Sequence, residues 1–190
     1  MTTASTFRWA VWAAVVLVAA AGLLAYLAPA RTGQALIGGP FALQTGDGKT
    51  VTEQDLLGHP SLVYFGYTHC PDICPTTLAQ ISDALAKLPG QPVKVYFITV
   101  DPERDTPNLM RDYVSSFDPR IVGLSGSTQA VEQVEKAYRV YARKAPGQNG
   151  EYAMDHSSVL YLMDRNGRFA EAFNLDRSAA ESAKELQTFL

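Results

Sequence analysis

The sequence predicts an α/β domain, because segments with strand and helix patterns alternate along most of its 190 residues. Two apolar runs, residues 61–67 and 93–100, have the near-continuous hydrophobicity of strands that are buried on both faces of a sheet. Between them, apolar residues recur at helical spacing from Ile73 to Leu88, and Pro75 suits the first turn of that helix. Buried strands that alternate with amphipathic helices indicate a sheet covered by helices.

A β-hairpin is predicted to precede the first buried strand. Residues 41–44 and 49–52 flank a turn that contains Asp47-Gly48, and Asp-Gly between such segments is a strong hairpin signal. A short helical turn at residues 53–57 follows, and Gly58 and Pro60 end it. This hairpin is therefore an N-terminal addition to the main sheet.

The remaining elements complete a recognisable order. We predict a helix from Pro107 to about residue 117, a short strand at 121–124, and a helix capped by Ser127 or Thr128. Residues 143–154 are predicted to be an inserted loop, before a strand at 159–163, a returning strand at 168–173 and a last helix at 178–190. A strand, a helix that begins near a cysteine pair, and later a β-hairpin and a terminal helix form the order of a thioredoxin-like fold.

An uncharged apolar segment precedes the domain. Its core of about 19 residues, from Trp9 to Leu27, would span roughly 28 Å as a helix, close to the thickness of a bilayer's hydrocarbon core. Trp12 and Tyr26 suit interfacial positions near its two ends. We therefore predict a single transmembrane helix at 9–28, between a cytoplasmic N-terminus at 1–8 and a linker at 29–38, with the thioredoxin-like domain at 39–190.

A cleaved signal peptide is the alternative for this segment. Residues 28–30, Ala-Pro-Ala, resemble a small-residue cleavage site, but the apolar segment is longer than a signal peptide usually carries. Length therefore favours the anchor. Arg8 before the segment favours a cytoplasmic N-terminus and a domain outside the cytoplasm.

Charge and cysteine content exclude two classes of protein. The formal net charge is -3 and no run of lysine and arginine is present, which argues against nucleic acid as a partner. Two cysteines do not make a disulfide framework. Their close spacing points to redox chemistry, a metal or a local disulfide.

Cys70 and Cys74 stand where the first buried strand gives way to a helix. If the helix begins near Cys70, the i, i+4 spacing places both sulfurs on one face, where the helix N-terminus favours thiolates. Two thiolates select Cu(I), zinc or a cluster, while the same geometry allows a disulfide. Three intervening residues, one more than in the usual dithiol motif, weaken a redox role. Inert thiols or a merely stabilising disulfide are the alternative.

His156 is the candidate third ligand. It opens a predicted strand on the side where the cysteine loop should lie, and two thiolates with one imidazole form a trigonal set suited to copper. His69, next to Cys70, is predicted to point away. Asp101 and Asp155 are candidates to orient a ligand or tune its charge, and a strand-ending turn is the simpler role of Asp101.

Three separated motifs closely resemble those of the SCO/SenC family. They are FGYTHCPDICP at residues 65–75, TVDPERDTP at 99–107 and DHSS at 155–158. The resemblance covers roughly residues 39–190, with the motifs in the correct order. It implies a membrane-anchored thioredoxin-like protein that helps to assemble the dinuclear copper centre of cytochrome c oxidase subunit II.

The resemblance also implies site residues and a location. It implies that Cys70, Cys74 and His156 bind copper, as Cu(I) or Cu(II), with Asp101 in a supporting role nearby. The implied partners are cytochrome c oxidase subunit II and other periplasmic copper chaperones or thiol reductants. The domain is expected on the periplasmic side of a bacterial inner membrane, or else in a mitochondrial intermembrane space, which a short Ala-rich chain without a transit peptide disfavours.

Two functions from different classes follow from these features. The first is a copper metallochaperone, which has no substrate turnover. The second is a thiol–disulfide oxidoreductase that uses Cys70 and Cys74 to keep the acceptor's cysteines reduced through a mixed disulfide. Only the copper site needs His156, so this residue distinguishes the two. A peroxidase is a more distant third, since the cysteine loop lacks the arginine that it would require.

Overall fold

The structure is a computed structural model that describes residues 9, 12–13, 17–19, 37–147 and 150–190. Most of the predicted transmembrane helix at 9–28 lies outside the described residues, and the six described within it are helical and exposed. No helix in the described part of the chain has both the length and the hydropathy that a membrane span requires. The folded domain occupies the compact unit Ala35–Leu190.

The domain contains nine strands and four α-helices among the residues from 37 onward that the structure describes. In chain order they are β1 (Ala42–Gln44), β2 (Thr50–Thr52), β3 (Ser61–Gly66), α1 (Ile73–Ala86), β4 (Lys94–Thr99), α2 (Pro107–Val114), β5 (Ile121–Leu124), α3 (Thr128–Tyr138), β6 (Ala142–Pro146), β7 (Tyr152–His156), β8 (Leu160–Met163), β9 (Phe169–Ala172) and α4 (Ala179–Gln187). A short 3₁₀ helix, Glu53–Leu56, follows β2. The predicted N-terminal hairpin is confirmed as β1 and β2, which pair antiparallel.

A five-stranded sheet in the order β5-β4-β3-β8-β9 forms the centre of the domain. β3, β4 and β5 are parallel, whereas β8 and β9 are antiparallel to their neighbours. Every residue of β3 and all but the first of β4 are buried, as expected for strands covered on both faces. One face packs against Leu78, Ile81 and Leu85 of α1, and the other packs against Val131 and Val134 of α3.

The parallel arrangement of β3 and β4 decides where chemistry can occur. Because their carboxyl ends lie at the same edge of the sheet, the cysteine loop after β3 and the Asp101 loop after β4 are neighbours there. A hydrogen bond of 2.8 Å from the Val100 N–H to the Gly66 carbonyl links the two strand ends. This edge is the one that the thioredoxin-like order predicts for ligands.

The prediction of a loop at residues 143–154 is wrong. β6 and β7 form an antiparallel hairpin there, with Ala142 opposite His156 and Pro146 opposite Tyr152. His156 consequently ends a strand rather than opening one. The hairpin is a two-stranded sheet of its own, and its side chains are half-buried or exposed. The near-continuous hydrophobic run that marks a buried strand of the main sheet is therefore missing from this part of the sequence.

Candidate metal centre

Cys70 and Cys74 occupy the turn between β3 and α1. α1 begins at Ile73, so Cys74 lies in its first turn and Cys70 precedes it. The condition for placing both sulfurs on one helix face, a helix that begins near Cys70, is therefore not met. The turn brings the sulfurs together instead: the Cys70 N–H donates to the Tyr67 carbonyl at 3.2 Å, and the Cys74 N–H donates to Cys70 Sγ at 3.4 Å. Both residues are free thiols.

Gly66, the last residue of β3, makes room for Cys74. A Cβ at this position would lie 2.7 Å from Cys74 Sγ and 2.7 Å from the Phe97 ring, which is closer than such atoms can approach. The absence of a side chain therefore lets the sulfur pack directly on the sheet. Cys74 is fully buried there, while Cys70 is half-buried.

Burial decides the protonation of Cys74. Removal from water is the main reason that the pKa of its thiol rises to about 12, and the neighbouring Cys70 acts in the same direction. The Tyr64 hydroxyl, 3.9 Å from Cys74 Sγ, opposes this effect as a donor. The Cys74 thiol is thus protonated at neutral pH, and a metal ion must displace that proton when it binds.

His156 reaches the cysteine pair from the end of β7. Its Nε2 lies 3.9 Å from Cys74 Sγ, and its Nδ1 lies 3.0 Å from the Ser157 carbonyl oxygen. A proton on Nδ1 can be donated to that carbonyl, which leaves the lone pair of Nε2 directed towards the sulfurs. The ring also packs edge-on against Tyr67, with 5.7 Å between centroids.

The three side chains form a compact set of ligands. Cys70 Sγ, Cys74 Sγ and a ring nitrogen of His156 all lie within 4.8 Å of one another, and this is the one such group of His, Cys, Asp and Glu among the described residues. Bonds of about 2.0–2.3 Å, the lengths that zinc makes to His and Cys, place two ligands of one ion at most about 4.6 Å apart. The cluster is therefore close to the size that a single ion requires.

Asp101 is near this cluster but does not belong to it. The carboxylate is buried at the end of β4, where it accepts hydrogen bonds from Arg104 Nε and, at 2.9 Å, from the Tyr152 hydroxyl. The Arg104 guanidinium lies 5.8 Å from the centroid of Tyr67, the ring that packs against His156. Asp101 also closes a turn, since its carbonyl accepts from the N–H groups of residues 104 and 105.

The structure does not bring Asp155 to the sulfurs. Its side chain is exposed, and its Oδ2 lies 3.4 Å from Arg143 Nη2. Because successive residues of a strand face opposite ways, Asp155 points away from the face that carries His156. His69 likewise stays out of the cluster: its Nδ1 lies 3.0 Å from Thr68 Oγ1.

Sequence reasoning missed the residue that ties the two loops together. Asp105 is fully buried, and its carboxylate accepts from the Thr68 N–H at 3.0 Å, the Thr68 hydroxyl at 2.5 Å and the Thr99 hydroxyl at 2.7 Å. A buried carboxylate with three donors holds the cysteine loop against the end of β4. Its position after a buried strand was a usable signal, whereas nothing in the sequence marked Tyr152.

Residues 29–190 match the family model described as SCO1/SenC. The chain belongs to the SCO1/SenC family. The copper-bound structure of ScoI from Bradyrhizobium japonicum is 51% identical, with a TM-score of 0.78 over 81% of this chain and 99% of that one. This likeness to a SCO1/SenC structure confirms the thioredoxin-like α/β fold.

Two curated SCO1/SenC relatives are mitochondrial by name. "Protein SCO1 homolog 1, mitochondrial" of Arabidopsis thaliana is 44% identical over 144 residues, which cover 74% of this chain and 43% of the relative. "Protein SCO1 homolog, mitochondrial" of Homo sapiens is 40% identical over 165 residues, which cover 83% and 54%. The chain thus spans about half the length of these curated relatives.

Proposed function

We propose that this SCO1/SenC protein is a copper metallochaperone that binds one copper ion through Cys70, Cys74 and His156. The observation that carries the proposal is the set of two sulfurs and one imidazole within 4.8 Å. Soft thiolates and an imidazole suit Cu(I) and Cu(II), whereas structural zinc usually takes four protein ligands. The copper in the Bradyrhizobium japonicum ScoI structure supports copper as the ion.

The arrangement suits an ion that is cargo rather than a permanent cofactor. Cys74 holds the buried side of the site, while Cys70 and His156 are half-buried and face the outside. Three protein ligands leave a position at which a ligand of the acceptor can join the ion. In a stepwise exchange, ligands of the acceptor would first replace His156 and Cys70, and the buried Cys74 would release the ion last.

We propose the dinuclear copper centre of cytochrome c oxidase subunit II as the destination, on the strength of the three motifs shared with the family. We also propose that residues 9–28 anchor the protein in a bacterial inner membrane, with the domain at 39–190 in the periplasm. The uncharged segment after Arg8 supports this location.

A thiol–disulfide oxidoreductase is the second candidate, because both cysteines are free and Cys70 is half-buried rather than enclosed. The Cys70 thiolate would attack the acceptor's disulfide to form a mixed disulfide, and Cys74 would then displace the acceptor. Two electrons and two protons pass from the cysteine pair to the acceptor. The acceptor's disulfide is thereby reduced to two thiols, and the Cys70–Cys74 disulfide forms. The raised pKa of Cys74 slows this second step, because the thiolate is the attacking species.

Copper titration of the reduced domain tests the proposal. The parent should bind one ion per chain with thiolate-to-Cu(II) charge-transfer absorption. His156→Ala should weaken binding by more than about 100-fold, because it removes a ligand, whereas loss of a residue that only orients a ligand costs about 10- to 100-fold. His69→Ala is the matched control, since it removes a neighbouring imidazole that lies outside the cluster. If His156→Ala binds copper as tightly as the parent, the assigned site is wrong.

A second assay separates the two candidates. Reduction of a disulfide in the soluble domain of subunit II needs only the cysteines, so His156→Ala should retain that activity. Copper transfer to the same reduced domain should be lost in this variant. A parent that reduces the acceptor but transfers no copper would favour the oxidoreductase.

A further inference from the structure

His156 stands on an element that the central sheet does not hold. β6 and β7 form a separate two-stranded sheet, and a two-stranded hairpin alone is marginally stable in water. The position of His156 relative to the cysteines therefore depends on side chains that join this hairpin to the rest of the domain.

Arg104 makes the most extensive of these connections. From the loop after β4, its Nη1 donates to the Tyr152 carbonyl at 3.0 Å, and its guanidinium carbon lies 3.8 Å from the centroid of the Tyr152 ring. Its Nε donates to Asp101, which also accepts from the Tyr152 hydroxyl at 2.9 Å. Each of the three residues thus contacts the other two.

The same guanidinium reaches the other end of β7. It lies 5.8 Å from the centroid of Tyr67, and the Tyr67 ring packs edge-on against His156. Tyr67 belongs to the cysteine loop, since its carbonyl accepts from the Cys70 N–H. Arg104 therefore contacts both the first strand residue of β7 and the ring that supports its last.

We propose that Arg104, together with Asp101 and Tyr152, forms a clasp that holds the β6–β7 hairpin so that His156 faces the cysteine pair before a metal ion binds. In this clasp Arg104 is a positioning residue and not a ligand. The inference rests on the proposed metal site, and it assigns to Asp101 a role in placing the hairpin.

The two other ion pairs of the hairpin are weaker. Lys144 pairs with Glu103 at 2.7 Å and Arg143 pairs with Asp155 at 3.4 Å, but all four side chains are about half exposed, and exposed ion pairs contribute little. Arg104 is only 19% exposed and Asp101 is 1% exposed. Of these three ion pairs, the buried Arg104–Asp101 pair is the one that can fix an orientation.

Hydrogen exchange of the metal-free protein tests the clasp directly. Arg104→Lys keeps a positive charge for Asp101 but lacks the planar fork that serves Asp101 and Tyr152 together. We expect the amides of β6 and β7 to exchange about tenfold faster, while those of β3 and β4 keep the parent rates. Tyr152→Phe removes only the hydroxyl and should give a smaller change in the same amides.

Arg143→Lys is the control, because it alters an exposed cation of the same hairpin and should leave exchange unchanged. Parent-like exchange in both Arg104→Lys and Tyr152→Phe would overturn the clasp. Equal acceleration of β3 and β4 would also overturn it, since Arg104 would then stabilise the whole domain rather than the hairpin.

Copper affinity, measured in the parent and in the His156→Ala variant, tests whether the clasp positions His156. Arg104→Lys should lower the affinity about tenfold in the parent and cause no further loss in His156→Ala, because the effect passes through His156. Equal losses in both backgrounds would contradict positioning of His156. If His156→Ala alone binds copper like the parent, the proposed function fails, and the exchange experiment still decides whether the clasp exists.

Discussion

Cys70 and Cys74 differ in environment although they belong to one motif. Cys74 is fully buried with a pKa near 12, whereas Cys70 is half-buried at the mouth of the site. The pair is therefore asymmetric: one sulfur is held by the core, and the other is accessible to a reagent or an acceptor.

This asymmetry predicts unequal reactivity. In the metal-free native protein, iodoacetamide should modify Cys70 at least about tenfold faster than Cys74, because only an exposed thiolate reacts. Mass spectrometry of the two sites after a short labelling pulse measures the ratio. Denatured protein, which exposes both thiols, is the control, and equal native rates would contradict the buried position of Cys74.

At the same scale, the sequence could predict the ligands better than their supports. Cysteine and histidine are rare in this chain, and the place of the cysteines after a buried strand was visible in the residue pattern, whereas His156 was predicted to open a strand and instead ends β7. Arg104 and Asp105 are ordinary charged residues whose roles depend on burial between loops. Only the folded contacts show that they join the cysteine loop, the end of β4 and the hairpin.

Among the elements, the β6–β7 hairpin carries the largest difference from prediction. Tyr152, Met154 and His156 share one face of β7, which packs towards the domain. The partner strand contains Arg143 and Lys144, and both strands lie outside the central sheet. Their polarity therefore resembled that of a loop, even though this element delivers the third ligand.

α3 carries a side chain whose charge opposes folding at neutral pH. Burial raises the pKa of Glu135 to about 7, and Glu132 adds to the increase. A carboxyl with a raised pKa in the folded state stabilises the protein fully below its ordinary value of 4.5, and this contribution is lost as the pH rises through 7.

Glu135→Gln should consequently raise the melting temperature at pH 8, and the gain should nearly vanish at pH 4.5, where the carboxyl is already neutral in the folded state. Thermal unfolding at the two pH values measures this difference. Glu151→Gln, at an exposed position, is the control. The same gain at both pH values would show that the charge of Glu135 is not the cause.

For the whole molecule, the sheet explains why distant residues meet. The parallel strands β3 and β4 bring the cysteine loop and the Asp101 loop to one edge, and β7 ends beside them. The buried strands were predictable because their hydrophobic runs are long. The approach of His156, 82 positions after Cys74, could be predicted only from the order of the elements and from its motif, because no local pattern encodes a contact between separate elements.

X-ray absorption at the copper edge tests the central claim most directly. In the copper-loaded domain, we predict two sulfur scatterers and one imidazole nitrogen from the protein around each ion. His156→Ala should lose the imidazole contribution and keep both sulfurs. An imidazole signal that persists in His156→Ala, or a parent site with sulfur ligands alone, would contradict the proposed centre of Cys70, Cys74 and His156.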